Sequence, residues 1–124
     1  MARTNFEKLR VYEQSENLAH EIWKIATGWN SFAKDTVGKQ VVRSADSIGA
    51  NIAEGSGRGS YQDNRRFVRA ARGSLNETQP WLRRAYRRRL LTPAQVNCLK
   101  PLIDKLAPQL NAYLKSIGPG KEDE

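Results

Sequence analysis

Residues that do chemistry are scarce in this chain. It has one cysteine, Cys98, and one histidine, His20, in 124 residues, which excludes an internal disulfide framework and a Cys/His metal site within one chain. No paired-histidine or carboxylate-rich spacing replaces them, so neither a metal nor a cofactor is expected. Hydrophobic residues make up only 39%, and no run of about 18 apolar residues is present to span a membrane. The opening Met1-Ala2-Arg3-Thr4-Asn5 has neither a helical pattern nor an apolar signal segment, so a loose start and a cytoplasmic protein are expected. Acidic residues are short as well, 13 against 21 lysines and arginines, for a net charge of +8. That imbalance makes nucleic acid the first partner to consider, ahead of an anionic membrane surface, and no membrane association is expected. The length suits a single domain over residues 1–124, with room for burial between subunits.

The shortage of acid is local. Between Arg58 and Arg89 ten arginines face only Asp63 and Glu77, whereas eleven basic and eleven acidic residues balance in the remainder. In the same stretch Phe67, Ala71, Ser74, Leu75, Thr78, Leu82 and Ala85 share one helical face at about 100° per residue. Arg65, Arg69, Arg72, Arg83 and Arg87 gather on the opposite face, with Arg66, Arg84 and Arg88 at its edge. One face wants a core and the other wants anions, which makes these eight arginines the candidate nucleic-acid-binding residues.

Around this element the period predicts a helix over 9–26 (Leu9, Tyr12, Leu18, Ile22, Ile25) closed by Thr27-Gly28, and a second over 35–54. The second has Val37, Val41, Ala45, Ile48 and Ile52 as its apolar stripe, Asp35 or Thr36 as its cap and Gly55 as its end. Beside that stripe run Gln40, Arg43, Ser47, Asn51 and Glu54, a polar line suited to a subunit interface because Gly49, Ala50 and Ala53 admit a close partner. Helix 3 is expected over 61–88, kinked at Pro80 and weakened by Gly73. Helix 4, over 93–117, opens on a capping box of Thr92 and Gln95 with Pro93 at its first position, and should bend or break at Pro101 and Pro108. Residues 121–124 read as a polar tail. Four amphipathic helices with short links specify an all-α, antiparallel up-down-up-down four-helix bundle, with Phe67, Leu75, Leu82, Leu99, Ile103, Leu106 and Leu110 in its core beside Leu18, Ile22, Val41, Ile48 and Ile52.

Other candidate sites are weaker. The loop Gly55-Ser56-Gly57-Arg58-Gly59-Ser60 follows a helix and lacks a Lys-Ser/Thr pair, so it reads as a turn and not a phosphate cradle. Glu54 and Glu77 lie near several arginines, Arg72 above all, that would keep them ionised and paired instead of catalytic. Cys98 beside Leu99 reads as an inert core thiol and His20 as a surface or boundary residue.

Gln40-x-x-Arg43, Ser47-Ile48, Asn51-Ile52-Ala53-Glu54-Gly55, Arg58, Ala71-Arg72-Gly73-Ser74-Leu75 and Glu77 together resemble the bacterial four-helix-bundle family typified by proteins encoded in intervening sequences of 23S ribosomal RNA genes. The resemblance spans about residues 6–117. It implies a ring-shaped homopentamer, and a fold similar to the accessory variability determinant of diversity-generating retroelements, which binds nucleic acid and works with a reverse transcriptase. It implies no enzymatic activity. The expectation is therefore a non-catalytic oligomer that binds RNA or DNA through helix 3; the competing one is an adaptor docking an acidic protein partner such as a reverse-transcriptase-type enzyme.

Overall fold

The computed structural model describes residues 2–119, the side chains of residues 2–7 excepted; Met1 and the expected tail 121–124 lie outside the described residues. Four helices make up the described residues. Helix α1 is Ala2–Ala26, and α2 is continuous through three pieces, Ser31–Ala33, a π-helical turn at Lys34–Gly38, and Lys39–Ser56. Helix α3 is Tyr61–Arg87 and α4 is Pro93–Ser116. Among the described residues there is no strand, and the helices pack as a bundle in which α2 meets α3 most extensively and α3 meets α4 least among sequential neighbours. None of the helices among the described residues is long and apolar enough to cross a membrane.

The core joins Val11, Leu18 and Ile22 of α1, Val41, Ile48 and Ile52 of α2, Val68, Leu75 and Leu82 of α3, and Leu99, Leu106, Leu110 and Tyr113 of α4. Phe67 and Ile103, expected in it, are only half-buried. At its centre the Thr78 and Ser44 hydroxyls lie 2.9 Å apart, with Ser44 donating to the Val41 carbonyl. A paired polar contact inside an apolar seam fixes the register of α2 on α3.

The phase of α1 departs from expectation. Its buried stripe is Val11, Ser15, Leu18, Ile22 and Ala26, and polar Ser15, whose hydroxyl donates to the Tyr12 carbonyl, hides that stripe from a hydropathy reading. Leu9 and Tyr12 instead point outward and are 52% and 37% exposed. The helix also starts earlier, at Ala2 instead of about Leu9, since extending an existing helix by about two turns needs no new nucleus.

Helix α2 is capped neither by Asp35 nor by Thr36 but by Asn30, whose side chain accepts the Ala33 N–H. It then widens by one residue in the π-helical turn, where the Trp29 ring lies against Gly38. Trp29 also donates its Nε1–H to the Leu90 carbonyl at 2.8 Å, which ties the α1–α2 link to the α3–α4 link. Gly55 does not end the helix: α2 runs on to Ser56, capped by Gly57. Gly55 is buried because α3 crosses it so closely that a Cβ would meet Asn64 Oδ1 at 2.6 Å, Phe67 Cβ at 2.9 Å and the Asn64 carbonyl at 3.1 Å.

Gly73, by contrast, has nothing within 4 Å of its would-be Cβ. Gly55→Ala should therefore destabilise by about 1–3 kcal/mol through overpacking, while Gly73→Ala should stabilise by about 1 kcal/mol through helix propensity; urea unfolding of the two variants would show shifts of opposite sign. Helix α3 passes Pro80, and α4 passes Pro101 and Pro108, without a break. Pro101 and Pro108 are exposed, as are Asn97 and Asp104, whose carbonyls lose their helical partners and can turn to water.

Candidate nucleic-acid interface

The arginines of α3 divide by what they touch. Two are fastened to α4: Arg65 donates from Nη1 to the Ile117 carbonyl at 2.8 Å, where a cation complements the open carbonyls of a helix end, and Arg72 donates to Asn111 Oδ1 at 3.2 Å. Arg66 lies over the Phe67 ring at 4.7 Å, with Arg58 over the same ring at 4.8 Å, and Arg66 also lies 3.6 Å from Asp63. Arg84 stacks on Trp81 at 4.5 Å. That leaves Arg69, Arg83, Arg87 and Arg88, and with them Arg89, with exposed side chains that make no hydrogen bond, ion pair or ring contact among the described residues. Arg69, Arg83 and Arg87 fall within roughly 40° of one another on α3 and extend along about 27 Å of it.

The carboxylates are engaged elsewhere. Glu54 accepts from Arg58 at 2.7 Å and Glu77 lies 3.8 Å from Arg43, so Arg72, expected to neutralise one of them, does neither. Both pairs are exposed.

The polar line on α2 is bonded mostly along its own helix. Arg43 donates to Gln40 Oε1 at 2.8 Å, Ser47 to the Arg43 carbonyl at 2.8 Å, and Asn51 to the Ser47 carbonyl at 2.9 Å. Glu54, at the end of this line, is exposed in the single chain. An exposed pair contributes at most about 1 kcal/mol, so Glu54→Ala should shift the unfolding free energy of the separated chain by less than that. Urea unfolding at a dilution where light scattering gives the protomer mass measures it.

Beside this line, Trp23 and Ala26 of α1, Thr27 just past its end, and Val42, Asp46 and Ala50 of α2 line an open groove, where desolvation raises the pKa of Asp46. Trp23 is 53% exposed and lies on the same side of α1 as Leu9 and Tyr12, so α1 carries a second apolar stripe on its outer side. Farther round, Glu21 accepts from Lys24 at 2.9 Å, which lowers the pKa of Glu21 and raises that of Lys24. Cys98, expected as an inert core thiol, is exposed and contacts Glu21 at 3.6 Å; His20 is a surface residue. Among the described residues no group of three or more His, Cys, Asp or Glu is placed to hold a metal ion.

Comparison with known proteins agrees with this architecture. The family model for the 23S rRNA-intervening sequence protein matches residues 7–112. A crystal structure of a protein of unknown function from the S23 ribosomal protein family of Bacteroides thetaiotaomicron superposes with a TM-score of 0.80 at 26% identity, covering 88% of this chain and 98% of that one. No curated protein matches the chain.

Proposed function

The chain belongs to the 23S rRNA-intervening sequence protein family, and from that premise we propose that it is a non-catalytic, oligomeric protein that binds nucleic acid through α3. One observation carries this reading: in a chain otherwise balanced in charge, the side chains of Arg69, Arg83 and Arg87 on α3 and of Arg88 at its C-cap stand exposed with no partner among the described residues. Such an array neutralises phosphate without reading bases, and its affinity falls with salt as counterions return. Arg66, Arg84, Arg65 and Arg72 extend the basic face while also serving the fold. Because Arg65, near the start of α3, meets Ile117, just past the end of α4, the antiparallel up-down-up-down order is the topology we favour, in one domain.

Self-assembly rests on the outer stripe of α1. Leu9, Tyr12 and Trp23 next to the small residues Ala50 and Ala53 leave an apolar strip that a second copy would cover, with Gln40, Arg43, Ser47, Asn51 and Glu54 alongside. A closed ring, a pentamer by family resemblance, would repeat the arginine array once per subunit and gain from multivalency. The test is a salt titration of purified, nucleic-acid-free protein against labelled RNA and DNA, with the solution mass measured by light scattering. Binding that weakens linearly in log salt, by a protein several times the protomer mass, is the expected result. Salt-independent binding, or none, would discard the phosphate reading and leave an acidic protein as the partner; a protomer mass at micromolar concentration would discard the ring.

A further inference from the structure

We propose that the groove between α3 and α4 seats an unstacked base of single-stranded nucleic acid, with Tyr86 as its stacking face and Arg89 as an additional phosphate contact. The proposal rests on the phosphate-binding reading of α3 and specifies the ligand for one end of it. Between α3 and α4, the sequential pair with the least contact, a cleft of about 830 Å³ opens, within the roughly 300–1,000 Å³ of clefts that hold small molecules. Its floor is apolar, formed by Leu82, Leu91, Val96, Leu99 and Ile103. Tyr86 forms part of its wall and is 56% exposed, and Arg83 and Arg87, both unengaged, line the same cleft. The carboxylate present, Asp104, is held by Lys100 at 2.8 Å, so it opposes an anion only weakly. An exposed aromatic ring among free arginines over an apolar floor is the combination that binds single strands, whose bases can leave the stack; the paired bases of a duplex cannot enter.

Arg89 adds an independent observation. It closes α3 in the left-handed conformation, at φ 63°, with its N–H on the Tyr86 carbonyl at 3.0 Å and the Leu90 N–H on the Ala85 carbonyl at 2.8 Å. Glycine fills such a position without strain and is the usual residue there. A strained arginine, unengaged and two residues before the cleft-lining Leu91, is better explained by its side chain than by its backbone.

The experiment is fluorescence polarisation of labelled single strands and of the corresponding duplex with the full chain, its Tyr86→Ala and Tyr86→Phe variants, and Arg89→Gly, each checked for helicity. Tyr86→Ala should weaken single-strand binding roughly 5- to 150-fold, the worth of stacking one base, and leave duplex binding unchanged; Tyr86→Phe should retain wild-type affinity. Arg89→Gly should melt higher and bind single strands more weakly. Equal effects of Tyr86→Ala on both forms, or none on either while the arginines still prove necessary, would overturn the base pocket and leave the phosphate array standing. A wild-type chain that binds neither form would remove both. Loss of an acidic helical peptide from the Tyr86→Ala protein, with nucleic-acid binding intact, would assign the cleft to a protein and overturn the proposal.

Discussion

Reversing Arg69, Arg83 and Arg87 together to Glu should weaken nucleic-acid binding by on the order of 100-fold, from about 1 kcal/mol for each exposed arginine–phosphate pairing removed. The logarithmic salt slope should fall by roughly 2–3, at about 0.7–0.9 for each phosphate neutralised. The loss should be the same for every sequence, since no base edge is read. All three side chains are exposed and none makes a hydrogen bond, ion pair or ring contact among the described residues, so helicity and solution mass should be those of the parent. That clean separation does not extend to Arg65 or Arg72, whose removal also unfastens α3 from α4. Gel shifts across a salt series, alongside circular dichroism, provide the check. A triple variant that binds like the parent at low salt would transfer the basic face to a protein partner.

Ile48→Ala should cost about 2–5 kcal/mol, the sum of lost transfer free energy and an unfilled cavity. Ile48 is completely buried and belongs to α2, the helix with the most extensive contact to a neighbour, so the surroundings have little freedom to collapse into the gap. Against a typical total stability of about 5–15 kcal/mol, that loss is severe. Urea unfolding should show a lower midpoint with an unchanged slope; a loss below about 1 kcal/mol would mean the α2 seam is looser than its burial implies.

The four helices are legible because the apolar period on each outlasts its interruptions, and the start of α4 because Thr92, Pro93 and Gln95 are local signals that act within one turn. What the sequence hides depends on groups far apart in the chain. The π-helical turn is met at Gly38 by the Trp29 ring, which is itself placed by its bond to the Leu90 carbonyl. The role of Gly55 is decided by Asn64 and Phe67 arriving from the next helix, and the true phase of α1 is masked by Ser15 in a core position. The arginine face is visible as a whole, yet its division is not: Arg65 is claimed by a carbonyl 52 residues away, and Arg89 stands out only once its backbone angle is known. Of the bend or break expected at Pro101 and Pro108, the break does not occur: the two prolines interrupt hydrogen bonds on the exposed side of α4 and leave the helix continuous.

The indole of Trp29 has a consequence for how the end of α3 meets a ligand. By holding the Leu90 carbonyl, it restrains the backbone just beyond Arg89, so the left-handed residue is gripped on one side by its own helix and on the other by the link that joins α1 to α2. In the proposed binding mode a phosphate or base would meet groups already in place, and little of the binding free energy would be consumed in ordering the chain. The same grip runs both ways: displacing Leu90 would strip the indole of its acceptor, so the two links are coupled and are not two independent loops.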